Sequence, residues 1–245
     1  MQAYDRHTNG VGSVRYRTNK GVETEENHLK KITNIALLAS GAVSGICAII
    51  AYAFGDIWIT RFIQRFDDPY FHSLMVAVSW PGYLGRQWIV ALCVVALLLR
   101  FRLRVEAACL LISAVSSWLL VNMIKLIVER PRPSPNLVVV FEHPATWSFP
   151  SGHVASYMAL YGFLFYLVYS LMRSSPLRYT LLIVCGAMIV LVGVSRVYLG
   201  AHWASDVFGG YCFGFFWLAL TIYVYRGRKG AENSGADFSP RGARV

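Results

Sequence analysis

The sequence predicts an all-α polytopic membrane helix bundle with six transmembrane helices, on three observations. Six apolar runs each approach or exceed the roughly 20 residues that cross a hydrocarbon layer of about 30 Å at 1.5 Å per residue. Of 245 residues, 56% are hydrophobic and only 15% charged, against about 25% charged in water-soluble domains. The basic residues fall mainly in the tails and in short loops between apolar runs, where they set topology.

Taken in order, residues 1–31 are polar, rich in Gly, Thr, Asn and charge, and read as a flexible tail. The first apolar run, 32–54, opens after Lys30-Lys31 and lacks a short core followed by a small-residue cleavage site, which predicts a retained anchor. Residues 55–73 mix Asp56, Arg61, Arg65, Asp67 and Asp68 with Trp58, Phe62, Ile63 and Phe66. Two readings stand there: an amphipathic segment along the interface, or a connecting loop with interfacial aromatics. Run two, 74–99, is interrupted by Pro81, Gly82 and Gly85, predicting a kink or a late helix start. Runs three to six cover 105–128, 152–172, 179–199 and 207–225, and residues 226–245 read as a flexible basic tail. The domain division is thus 1–31, 32–225 and 226–245.

Six crossings put both termini on one side. Sixteen of the 23 Lys and Arg residues then share that side, and seven lie on the other. The positive-inside rule predicts cytoplasmic termini, with the loops after runs one, three and five facing the opposite compartment. The net charge of +10 is a topology signal and an attraction to anionic lipid, not a nucleic-acid footprint. Cys47, Cys93, Cys109, Cys185 and Cys212 lie inside apolar runs without CxxC spacing, and read as unpaired small hydrophobes.

Ionisable residues break this apolar pattern at three places, all on the predicted outer side. The stretch 195–206 places Arg196, His202 and Asp206 between two crossings, where such groups are costly and point to function. His202 and Asp206, four apart, would share a helix face, and an aspartate on one imidazole nitrogen activates the other. Lys125 closes run three, where a snorkelling lysine is the ordinary explanation. Arg132 follows it in the loop, and Glu129 and Arg130 read as an interfacial pair. The same loop ends in Pro150-Ser151-Gly152-His153. Ser151 is a good N-cap and Gly152 admits an anion to the backbone, so the start of run four is a natural phosphate cradle beside His153.

These residues fall in three motifs: Lys125 with Arg132-Pro133, Pro150-Ser151-Gly152-His153, and Ser195-Arg196 with His202 and Asp206. The pattern resembles the type 2 phosphatidic acid phosphatase family, similar at its active site to vanadium haloperoxidases and bacterial acid phosphatases. Eleven specified positions match in order and spacing. The resemblance implies that His202 attacks phosphorus and becomes a transient phosphohistidine, with Asp206 holding it. It implies that His153 protonates the leaving oxygen and then deprotonates water. Lys125, Arg132 and Arg196 would hold the phosphoryl oxygens, assisted by Ser151 and the Gly152 N–H. Ser195 and the two prolines would shape the backbone. No carboxylate cluster is available for a metal, so neither metal nor cofactor is expected.

The expected activity is hydrolysis of a lipid phosphate or diphosphate on the extracytoplasmic leaflet. Undecaprenyl diphosphate, phosphatidylglycerol phosphate and phosphatidate are candidate substrates, and a bacterial plasma membrane is the expected setting. A lipid phosphotransferase with the same site is the near alternative. An anion transporter is the distant one, since a pore spreads ionisable groups through the membrane depth.

Overall fold

The computed structural model describes residues 55–83 and 85–236, with side chains up to residue 230. Among the described residues the regular structure is entirely helical. The expected first crossing, 32–54, the expected tail 1–31 and residues 237–245 lie outside the described residues, whereas residues 226–236, expected to belong to a flexible tail, continue the last helix.

Helix α1, Asp56–Ile63, follows Gly55, and α2, Pro69–Ser79, starts where Asp68 caps the Tyr70 N–H at 3.0 Å and proline occupies the first turn. The 55–73 segment is therefore helical rather than a plain loop. Asp56 and Thr60 are buried against the protein while Trp58 and Phe62 stand 68% and 46% exposed. A 3₁₀ turn at Trp80–Gly82 and a positive φ of 88° at Gly85 separate α2 from α3, Arg86–Arg100. That is the kink expected from Pro81, Gly82 and Gly85.

Four further helices follow: α4, Arg104–Val128; α5, Gly152–Leu171; α6, Pro176–Tyr198; and α7, Ala204–Ala236. All four are long and apolar enough to cross a membrane, and the bent pair α2–α3 makes a fifth candidate span. Ile112, Ile127 and Ile183 on them are 67%, 78% and 71% exposed. Large aliphatic side chains turned outward from several helices suit lipid rather than water.

One core cluster joins Leu98, Leu110, Phe163, Leu167 and Tyr225; another joins Val78, Val154, Tyr157, Val192 and Val197. Helices α5 and α7 approach closely because α7 presents glycine. A Cβ on Gly214 would lie 2.5 Å from the Met158 Cβ, and one on Gly210 would lie 2.9 Å from the Ser151 carbonyl oxygen. Helix α5 contains a π-helical stretch at Met158–Gly162 opposite this contact. The close approach carries the first turn of α7 up to the start of α5: Ser151 N donates to the Asp206 carbonyl at 3.0 Å.

Candidate active site

The site is assembled from four helix ends and the 129–151 loop. Helix α4 stops at Glu129, in the left-handed region at φ 48°, and the chain turns back over the bundle. Gln64, the C-cap of α1, clamps that loop: its amide nitrogen donates to the carbonyls of Val139 (2.7 Å) and Tyr198 (2.9 Å), and its oxygen accepts from Val139 N (3.1 Å).

Lys125 does not snorkel. It is 6% exposed and its ammonium donates to the carbonyls of Trp147 and Ser148 beneath the loop. Arg132 donates to the Thr146 carbonyl (2.6 Å) and hydroxyl (3.0 Å), the Trp147 carbonyl (3.2 Å) and the Ala201 carbonyl. It thereby ties the loop to the segment carrying His202. Burial and the nearby Arg196 charge pull Arg132 down to about 10, which leaves it cationic at neutral pH.

Arg196, near the end of α6, is 1% exposed; it donates to Ser79 Oγ at 2.9 Å and pairs with Glu142 at 2.8 Å. Ser195 beside it bonds Ser79 Oγ (2.7 Å) and the Met75 carbonyl (2.6 Å), fixing α6 on α2. The backbone-shaping role expected of Ser195 is thus an inter-helix anchor.

His202 lies in the short connection between α6 and α7. Gly200 makes that turn at φ 65°, where a Cβ would come 2.2 Å from the Val139 carbonyl oxygen. The imidazole is 2% exposed. Burial, reinforced by the charges of Arg132, Arg196 and Lys125, holds it well below the usual histidine range, so it is neutral. Arg132 Nη1 stands 3.3 Å from His202 Nε2. A guanidinium can only donate, so Nε2 is the lone-pair nitrogen and Nδ1 carries the proton.

The shared helical face expected for His202 and Asp206 is not formed, because α7 begins only at Ala204. Asp206 sits in the first turn and accepts the Trp203 N–H at 2.9 Å. Its Oδ2 is 3.7 Å from His202 Nδ1, beyond direct hydrogen-bond reach. The carboxylate is held instead by Ser148 Oγ and by Arg130 at 2.5 Å. Arg130 is therefore an internal residue, engaged with Asp206 and with Asp56 at 2.6 Å, rather than half of an interfacial pair with Glu129.

Ser151 occupies the N-cap position of α5, but its hydroxyl makes no cap bond and stays buried without a partner. His153 Nε2 is likewise enclosed without a partner. Its ring meets Tyr83 edge-on at 5.3 Å and covers Gly82, where a Cβ would lie 2.4 Å from the His153 Cδ2.

Lys125, Arg132, Gly152, His153, Arg196 and His202 line one cavity of about 350 Å³, with Tyr83, Trp118 and Glu142 on its other walls. Ser151 and Asp206 are 0% exposed and stand behind the lining. Three basic side chains and two imidazoles thus share one cavity with a single lining carboxylate, Glu142. Among the described residues no three His, Cys, Asp or Glu side chains gather as a metal site. Tyr83, Glu142, Asp56, Arg130 and Ser148 are contributors that motif spacing did not single out.

An all-helical bundle with lipid-suited outer faces and a cationic cavity around two imidazoles defines a membrane protein that handles an anionic group. The PAP2 superfamily model matches residues 106–229, and the chain belongs to that superfamily. It is 31% identical over 162 residues to the phosphatidylglycerophosphatase B of Bacillus subtilis, covering 65% of this chain and 77% of that protein. It is 34% identical over 159 residues to the undecaprenyl-diphosphatase of Sulfolobus acidocaldarius, covering 62% and 70%. The lipid A 1-phosphatase of Rhizobium etli is 33% identical over 128 residues, covering 48% of this chain and 50% of that one. Among solved structures, the transmembrane PAP2-type phosphatidylglycerolphosphate phosphatase from Bacillus subtilis superposes with a TM-score of 0.67 at 24% identity, over 80% of this chain and 96% of that one. The chain is an integral membrane protein, and these relatives are named as phosphatases.

Proposed function

We propose that this membrane phosphatase hydrolyses a lipid phosphate or diphosphate on the extracytoplasmic leaflet through a phosphohistidine intermediate. The observation that carries the reading is the convergence of His153 and His202 on one cavity with Lys125, Arg132 and Arg196.

In the first step His202 Nε2 bonds to phosphorus as the bond to the leaving oxygen breaks, and His153 gives that oxygen its proton. Asp206 faces the Nδ1–H side, where positive charge develops on the imidazole. Charge in phosphoryl transfer spreads over three equatorial oxygens, so fixed cations and position supply most of the catalysis. Lys125, Arg132 and Arg196 take those oxygens, with the Gly152 N–H at the start of α5 and the Ser151 hydroxyl assisting. In the second step water attacks phosphorus, His153 takes its proton, and the P–N bond breaks to free His202. Phosphotransfer to another lipid would use the same first step with a different acceptor.

The test is phosphate release by the purified full chain in mixed micelles. The panel holds phosphatidate, phosphatidylglycerol phosphate and undecaprenyl diphosphate, each with and without EDTA. Release from at least one of them, undiminished by EDTA, is expected. Silence across the panel overturns the phosphatase reading, and EDTA loss restored by Mg²⁺ overturns a site run by side-chain cations.

Charge asymmetry supports the leaflet: with six crossings, the site residues belong to the cation-poor side of the sequence. Asn136 lies exposed in the 129–151 loop. A cysteine there should react with a membrane-impermeant thiol reagent added to intact cells. Labelling only after the cytoplasmic face is opened would reverse the orientation.

A further inference from the structure

Behind the histidine–aspartate pair lies a second polar cluster that none of the three motifs includes. Asp56, at the start of α1, is 9% exposed. Its Oδ1 accepts from Ser205 N at 2.8 Å; its Oδ2 accepts from Ser205 Oγ and from Arg130 Nη2, both at 2.6 Å. Arg130 Nη1 donates to Ser205 Oγ at 2.6 Å and to Asp206 Oδ1 at 2.5 Å. One guanidinium thus bridges two carboxylates that come from α1 and α7. Both side chains of the Arg130–Asp56 pair are 10% exposed, and Asp206 is fully enclosed.

We propose that Asp56, Arg130 and Ser205 form a positioning relay that fixes the plane and the charge of Asp206, and through it the proton affinity of His202. The proposal rests on His202 being the nucleophile. Asp206 has two oxygens and two tasks. Arg130 occupies Oδ1, so Oδ2 is the oxygen left to face the imidazole, shared there with Ser148 Oγ and Trp203 N. A planar guanidinium whose two ends bond two different carboxylates sets orientation as well as charge. Asp56 holds Arg130 from the far side and divides its charge between two partners. Ser205 is bound through both N–H and hydroxyl, which locks the residue next to Asp206 at the start of α7.

A merely structural clamp and a positioning relay differ in what they do to titration. Lys125 of α4, His153 of α5, Arg196 of α6 and Arg132 of the loop bear on His202 directly. Asp206 faces it from α7, Arg130 lies one carboxylate further away, Asp56 acts only through Arg130, and Glu142 is held on Arg196. Removing the Arg130 charge raises the proton affinity of the coupled His202–Asp206 pair, whereas removing the Asp56 charge lowers it.

The experiment compares Arg130→Gln, Arg130→Lys and Asp56→Asn in the full-length protein in detergent. The acid limb of kcat/KM on a phosphatidate micelle is followed, and so is the His202 imidazole by ¹⁵N-histidine NMR. Arg130→Gln should move both upward by about one pH unit, with kcat down about a hundredfold and KM little changed. Asp56→Asn should move both downward. Arg130→Lys keeps the charge and should restore the limb while leaving kcat low, since one ammonium cannot span two carboxylates in fork geometry. Charge-changing variants whose limb and imidazole titration both stay at the wild-type position overturn the relay. Should Arg130→Gln fail to accumulate folded, the downward shift in Asp56→Asn decides alone. The NMR titration needs no turnover, so a protein silent on every lipid phosphate would sink the proposed function and leave this test intact.

Discussion

Replacing His202 by asparagine should cut phosphate release about 10⁴- to 10⁶-fold, the scale seen when a covalent nucleophile or its immediate partner is lost. The side chain is 2% exposed and neutral. Asparagine therefore changes little buried volume and introduces no charge, so the loss is chemical rather than structural. With Nε2 gone, the two-step path through a P–N bond is closed, and the remaining cations still bind phosphate without a group to attack it. Two measurements check this. Rapid acid-free quenching of wild type with ³²P-labelled substrate should trap a base-stable, acid-labile phosphoenzyme, and the variant should trap none. A variant that keeps near-wild-type turnover, or wild type labelled at another residue, would falsify the assignment.

Replacing His153 by asparagine should separate the two half-reactions. Against a lipid phosphate, whose alkoxide needs a proton to depart, loss of the general acid should cost about 10²- to 10⁴-fold. Against p-nitrophenyl phosphate the leaving group departs unprotonated, so His202 is still phosphorylated. Water then lacks its base, and the phosphoenzyme should accumulate as a burst of nitrophenolate followed by slow turnover. The geometry favours this division of labour, since His153 Nε2 is enclosed without a partner and lines the same cavity as His202. Full steady-state turnover of a lipid phosphate by the variant would remove His153 from both steps. A linear nitrophenolate trace at a reduced rate would assign the water-activating base elsewhere.

The helices were legible because their signal is strong and local. A run such as 105–128 leaves few alternatives for a chain that must satisfy its own backbone in lipid, and α4 is observed at Arg104–Val128. The cationic and imidazole residues were legible for a different reason: motif spacing marks helix ends, and those ends converge in the bundle. What spacing could not supply is the geometry between residues. His202 and Asp206 are four apart, yet the helix starts between them at Ala204, so the pair meets at 3.7 Å across a turn. Ser151 reads as a cap from its residue type, but its hydroxyl is left without a partner. Asp56, Arg130 and Glu142 carried no usable signal. Each reaches its partner across 54 to 76 residues, and a single acid or base in an interhelical segment looks the same whether it faces solvent or a guanidinium.

Glu142 has a consequence of its own. It stands in an anion site, paired with Arg196 at 2.8 Å and accepting the Tyr83 hydroxyl. Three like charges confined at the rim of a low-dielectric slab repel one another. A tethered carboxylate offsets part of that repulsion, so the pocket carries its own built-in counter-ion, held on a loop rather than on a helix.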